Sequence, residues 1–238
     1  MRKLMNYALV SLLVFFIVFF SSYHLMNART VQVAGKLVTE VETKEKVVAL
    51  TFNGGPSKQT EQLLETLADE DVKATFFLNG STIVKHSDQL DPLVKSPHQL
   101  GNQGYSYERM VLKSPVWIKE QIEKTDQLIR EAGYEDTIPF RPPYGKKLLV
   151  LPLYLQFQQR ETIMWSIEPQ IYAKIEAEPE SIVEHVTTNT RPGAIISLDV
   201  LYEDDVEYSM EAVKGIVEAL KQDGYSFVTV SELLKYQQ

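Results

Sequence analysis

Val47-Val48-Ala49-Leu50-Thr51-Phe52-Asn53-Gly54-Gly55-Pro56 is an apolar run that stops at one polar residue, two glycines and a proline. A run of this kind reads as a parallel strand buried on both faces, and the Gly-Gly-Pro turn hands the chain on to a helix. The next stretch, Ser57–Glu70, places Thr60, Leu63, Leu64 and Leu67 on one helical face. The rhythm recurs downstream. Strands are predicted at Val47–Phe52, Ala74–Leu78, Phe140–Pro142, Thr162–Ile167, Ala194–Leu198 and Ser226–Val230. Ser114 as N-cap and Pro115 in the first turn open a helix over Pro115–Ala132 that Gly133 ends, and Asp205–Asp223 ends likewise at Gly224. With no Gly-x-Gly-x-x-Gly stretch, these strand–helix units fit a parallel barrel better than a nucleotide-binding open sheet. Chemistry in such a barrel sits at the C-terminal ends of the strands.

The 238 residues, 44% hydrophobic and 24% charged, suit one large domain with an appendage. A net charge of −8 lacks the basic footprint of a nucleic-acid binder, so no nucleic-acid partner is expected. The appendage is N-terminal. Leu4 to Met26 contains no Asp, Glu, Lys or Arg, its densest part runs from Ala8 to Phe20, and Arg2 and Lys3 precede it. About 20 apolar residues match a bilayer, and the flanking charge orients the N-terminus inside and the domain outside. Tyr23-His24-Leu25-Met26 puts bulky residues where a cleavage site needs small ones, which favours an uncleaved anchor; a cleaved segment would release a secreted domain. The expected division is 1–28 as anchor or signal segment, 29–45 as a polar linker and 46–238 as the domain. The absence of cysteine removes disulfides, thiolate metal sites and a cysteine nucleophile.

Four further stretches stand out, three of them at or beside predicted strands. They are His98-Gln99-Leu100-Gly101-Asn102-Gln103-Gly104-Tyr105-Ser106-Tyr107, Phe140-Arg141-Pro142-Pro143-Tyr144-Gly145, Thr162 to Tyr172 through Trp165, and Pro192-Gly193-Ala194-Ile195-Ile196-Ser197-Leu198-Asp199. With the opening stretch they occur in the order of the five motifs of the polysaccharide deacetylases. The chain resembles that family, of the NodB-homology type in carbohydrate esterase family 4, over most of its length after about Lys46. The resemblance implies an α/β fold with a deformed (β/α) barrel, here preceded by one N-terminal transmembrane helix. It also implies a divalent metal, usually zinc, that hydrolyses N-acetyl groups on chitin-like or peptidoglycan sugars.

The reagents of that chemistry are substituted. Where the family has an aspartate base and then a metal-binding aspartate, this chain has Asn53 and Gly54. An amide takes no proton at neutral pH and glycine has no ligand atom. The two histidine ligands align with Gln103 and Tyr107, and an amide oxygen and a protonated phenol are poor zinc ligands beside imidazole. His98 matches no ligand position and reads as structural. The acid histidine is Asp199, the one substituted position still able to do proton chemistry if burial raises its pKa.

Arg141, which in the family orients the base, has no carboxylate at Asn53 to orient. The resemblance makes Tyr105, Tyr144 and Trp165 the substrate-binding positions, with Tyr144 and Arg141 exposed beside a groove. A buried strand-end tryptophan needs no ligand to explain it, so Trp165 reads equally as core. The acidic position expected near Gln170 or Ile171 is lacking, and Glu168 is displaced from it.

The expected function is a membrane-anchored, catalytically impaired member that binds N-acetylated envelope polysaccharide, such as peptidoglycan or a chitin-like chain, with no cofactor. Two alternatives stay open. One is an active deacetylase with zinc or another divalent metal in a centre rebuilt from Asp199, Glu168, Gln103 or His98; the other is an envelope scaffold whose groove is a relic.

Overall fold

The computed structural model describes residues 2–169, 178–201 and 206–237. The chain opens on α1 (Arg2–Asn27), a helix long and apolar enough to cross a membrane and not buried against the rest of the protein. After β1 (Leu37–Val38) comes β2 (Val47–Asn53), every residue of which is buried. It is central. Parallel partners flank it on both sides, β3 (Thr75–Leu78) and β6 (Ile195–Leu198), and β4 (Gln99–Asn102) lies outside β3. The short β7 (Ser226–Phe227) pairs with Val47 and Val48 at the start of β2, and β1 pairs with β5 (Thr162–Ile163).

Helices cover this sheet. In α2 (Thr60–Asp69) the buried positions are Thr60, Leu63 and Leu67, one face at helical spacing. Between β3 and β4 lie α3 (Gly80–Lys85) and α4 (Leu90–Lys95). Ser114 caps α5 (Pro115–Glu131) by accepting from the Trp117 N–H at 3.2 Å, and Ile118, Ile122, Thr125 and Ile129 are its buried stripe. Then follow α6 (Val150–Phe157), α7 (Pro179–Asn189), α8 (Val206–Gln222) and α9 (Val230–Leu233). Phe52, Phe76, Leu63, Leu67, Ile216 and Leu220 join sheet and helices in the main apolar cluster.

Several expectations need correction. Among the described residues the ladders do not close into a barrel; the two sheets are joined by single bridges, Asn102 to Phe140, Phe140 to Thr162, and Ile167 to Ile196. The predicted strand Phe140–Pro142 is reduced to the two bridges at Phe140, because Pro139, Pro142 and Pro143 have no N–H to extend it. Thr162–Ile167 is a ladder only at Thr162 and Ile163. The strand at Ser226 ends at Phe227, since Thr229 and Glu232 form a reciprocal capping box that makes Val230 helical. Two strands were not foreseen. β4 is half polar and contains Gly101, required because a Cβ there would lie 2.6 Å from the Phe77 ring, and β1 lies within the polar linker. The start of the Asp205–Asp223 helix lies outside the described residues.

Gly193 ties the linker to the sheet. Its N–H donates to Val47 O at 2.8 Å, its carbonyl accepts from Val41 N–H at 2.9 Å, its φ is +80°, and a Cβ would meet Val41 O at 1.8 Å. We expect Gly193→Ala to destabilise the fold by at least about 2 kcal/mol, read as a lower urea midpoint for the full chain in detergent; an unchanged midpoint contradicts this packing.

Candidate functional site

β2 and β6 are neighbours and β4 lies beyond β3, all parallel, and the sequence motifs follow their ends. Asn53 is the last residue of β2, Gln103 follows β4, Arg141 follows the bridge at Phe140, Trp165 follows β5 and Asp199 follows β6. A cavity of about 520 Å³ brings Asn53, Gln103, Tyr107, Tyr144, Trp165 and Asp199 together, with Arg29, Arg109, Lys146 and Glu168 completing its wall. Tyr105 does not line it; its ring lies under the Lys124 ammonium at 3.6 Å.

Arg141 lies behind this wall, fully buried rather than exposed as the motif suggested. Its guanidinium lies against the rings of Phe77 at 4.0 Å and Trp165 at 5.2 Å. Nη1 donates to Asn53 Oδ1 and Thr51 Oγ1, both at 2.9 Å, and Nη2 donates to Met164 O at 3.2 Å. Burial lowers its pKa to about 9, opposed by the charges of Asp199 and Glu168, so it remains a cation at neutral pH.

Asn53 has no capacity left for substrate. Its Oδ1 accepts from Arg141 and from Gln103 Nε2 at 3.3 Å, and its Nδ2 donates to Ser197 Oγ at 2.7 Å and Asp199 Oδ1 at 2.8 Å. Burial pushes the Asp199 carboxyl up to about 6; the bond from Asn53 and the charge of Arg141 oppose the rise, while Glu168 adds to it.

A zinc ion does not fit this donor set. Gly54 has no side chain, and its N–H occupies Gln103 Oε1 at 3.2 Å. Tyr107 and Tyr144 both hold φ of +57°, and their rings tilt against each other at 4.7 Å. Among the described residues no three His, Cys, Asp or Glu side chains gather as a metal site. His98 is remote from the cavity wall: its Nδ1 accepts from Ala74 N–H at 3.2 Å, its ring lies against Phe76, and burial lowers it to about 4, leaving it neutral. Gln170 and Ile171 lie outside the described residues.

The charged wall is what sequence reasoning missed. Arg109 stands two residues beyond Tyr107, and Lys146 directly follows Gly145, so each adjoins a motif end that was in view. Arg29 gave no signal in the polar linker, yet it pairs with Glu168 at 2.5 Å and covers the Trp165 ring at 5.1 Å. Trp165 is at once cavity wall and core, 6% exposed.

Residues 40–154 match the family described as polysaccharide deacetylase. A peptidoglycan-N-acetylglucosamine deacetylase of Bacillus cereus is 30% identical over 207 residues, spanning 85% of this chain and 94% of that protein. Among solved structures, a pseudoenzyme of carbohydrate esterase family 4 from Bacillus anthracis is 27% identical with a TM-score of 0.75, covering 87% of this chain and 71% of its own. A mutant of that pseudoenzyme with restored enzymatic activity gives 26% identity and a TM-score of 0.77, covering 87% and 74%.

The folded protein holds the Asp199 proton to about pH 6, whereas an unfolded aspartate releases it near 3.8. Between those values the folded state binds more protons, so this group makes stability fall as pH rises from about 4 to 6. We expect Asp199→Asn to remove about 1–3 kcal/mol of that decline, seen in thermal melts across this range; an unaltered slope contradicts the buried carboxyl.

Proposed function

The chain belongs to the polysaccharide deacetylase family, and we propose that it is a member which holds N-acetylated envelope glycan in the old catalytic groove without hydrolysing it. One observation carries this reading. A single cavity wall contains the positions aligned with the base, one histidine ligand, the second histidine ligand and the acid, now Asn53, Gln103, Tyr107 and Asp199, while Tyr144 and Trp165 persist beside them. Gly54, aligned with the aspartate ligand, adjoins that wall through Gln103. In this reading Asn53, Arg141 and Asp199 are the catalytic-equivalent positions, emptied of turnover. Arg141 anchors Asn53 instead of orienting a base, and the half-exposed Tyr144 offers an aromatic face to a sugar ring. Tyr105, in the stretch that carries Gln103 and Tyr107, lies outside the cavity wall, so it is not part of this sugar-binding surface.

The relatives are consistent with both halves of the proposal. The Bacillus cereus protein acts on peptidoglycan N-acetylglucosamine, and the Bacillus anthracis structure is that of a pseudoenzyme whose mutant regains activity. We read the single bridges as a deformed (β/α) barrel, α1 as an uncleaved anchor with the domain outside the membrane, and residues 29–45 as a connector to the domain at 46–238. The Lys146 and Lys147 ammonium groups reach Asn27 Oδ1 and Ala28 O, the last residue of α1 and the one after it, which supports a groove close to the bilayer surface.

A second reading has one observation in its favour: Asp199, titrating at about 6, is placed to move a proton near neutrality. The two separate on acetate release. We expect the full chain in detergent to release none from N-acetylglucosamine oligomers or peptidoglycan with added zinc or cobalt, yet to sediment with peptidoglycan. Metal-dependent release establishes the second reading, and failure to sediment removes the first.

The register has its own test. Asn53→Asp alone sets two carboxylates at hydrogen-bond distance from each other, so it has to accompany Asp199→His. With Gly54→Asp, Gln103→His and Tyr107→His as well, the protein is expected to bind zinc in calorimetry. The aspartate at position 54, where φ is +81°, costs roughly 1 kcal/mol of stability. A folded fivefold variant that takes no zinc shows that these positions are not aligned with the ligands.

A further inference from the structure

Three cations, Arg29, Arg109 and Lys146, line the cavity against two carboxylates, Glu168 and Asp199. Glu168 is already paired with Arg29 at 2.5 Å, and Asp199 accepts from Asn53 with the buried Arg141 behind it. Among the described residues neither Arg109 nor Lys146 has a carboxylate within 4.0 Å. We propose that the space in which the active relatives' chemistry needs a metal cation takes an anion in this protein, so that the glycan held is an N-acetylated sugar bearing a carboxylate or a phosphate. The inference rests on the glycan reading above and names the substrate class within it.

Four features converge on it. Like charges are gathered at a cost: burial lowers the Lys146 ammonium, and Arg109 and Arg29 lower it further by repulsion. An anion between them turns that repulsion into attraction, and arginine is the side chain best shaped for carboxylate or phosphate. Next, the Trp165 Nε1–H is buried with no acceptor, although Trp165 is part of the cavity wall. A buried donor left unpaired is costly, and no described protein group answers it. Third, the ligand positions contribute no negative charge, since Gly54 has no side chain and the Gln103 amide is occupied on both sides by Gly54 and Asn53.

Finally, the cations are placed beside sugar-binding surfaces. The Arg109 guanidinium lies over the Tyr144 ring at 5.5 Å, and Tyr144 in turn meets Tyr107. A sugar ring against these aromatics brings its acidic substituent within reach of Arg109 and Lys146. The carboxylate source is a lactyl ether such as that of muramic acid. The phosphate source is the anomeric phosphate of a sugar carried on a lipid, a geometry favoured by the contacts from Lys146 and Lys147 to the C-terminal end of α1.

The test is calorimetric titration of the full chain in detergent at low salt. The probes are N-acetylmuramic acid, N-acetylglucosamine 1-phosphate, neutral N-acetylglucosamine and inorganic phosphate. We expect at least one acidic sugar to bind at least about tenfold tighter than the neutral one, and the one that wins identifies the source. The preference should shrink in about 0.5 M salt. It should vanish in Arg109→Gln with Lys146→Gln, return in Arg109→Lys with Lys146→Arg, and survive Lys119→Gln on the far helix α5. Equal affinity for acidic and neutral sugars overturns the anion site and leaves the glycan reading standing. Phosphate binding as tightly as the sugar phosphate keeps the anion site and overturns the glycan reading. A chain that binds none of the four overturns both.

Discussion

A guanidinium with no water against it has to find acceptors for its N–H groups and an answer to its charge. Arg141 is that group here, and the ends of the strands are arranged around it. It draws on Thr51 and Asn53 from β2, on Ile163 and Met164 at the end of β5, and on Ser197 from β6. The rings of Phe77 from β3 and of Trp165 both lie against it. Segments far apart in sequence are thereby pinned in one register at the end where the motifs lie. Removing such a group strands several buried acceptors at once, so it persists for reasons of fold whatever becomes of catalysis.

The charge of Arg141 also explains a pairing among the substitutions. By the family resemblance, position 53 is an aspartate and position 199 a histidine; here they are Asn53 and Asp199. On that alignment a carboxylate stands at position 199 in place of position 53, one hydrogen bond of 2.8 Å away, from Asn53 Nδ2 to Asp199 Oδ1. Asn53 still accepts from Arg141, and Asp199 still opposes its loss of charge. On that alignment the two changes keep one carboxylate near Arg141 while an amide stands at the base position, and Asn53→Asp alone would set two carboxylates against each other.

What was legible in the sequence followed from its apolar pattern. The continuous run at Val47 and the stripe of α5 are one-dimensional signals, and the structure carries both. β4 was hidden because Gln99, Gly101 and Asn102 do not read as a strand; its burial depends on contacts such as Asn102 Nδ2 to Asp126 Oδ1 and Gln103 N–H to Leu78 O. The prolines around Phe140 were read as a strand end, whereas their missing donors reduce the pairing to single bridges. At the site, motif order located Asn53, Gln103, Tyr107, Tyr144, Trp165 and Asp199, which do share one cavity. The cations were not legible. Arg29 is 139 residues from Glu168, and no local pattern announces so distant a pair.

Backbone strain bears on whether the groove is a relic. Tyr107 and Tyr144 both sit in the left-handed region, which costs roughly 1–2 kcal/mol for each residue that has a Cβ. That conformation brings the two rings to 4.7 Å, with Arg109 over the second. A groove without a ligand gains nothing from strained, half-exposed aromatics, from cations gathered against their own repulsion, or from a buried indole N–H without an acceptor. The repulsion among the cations is the cost that falls when an acidic molecule enters. The fold alone accounts for Arg141, whereas the cations gathered on the cavity wall find their reason in the acidic ligand proposed for it.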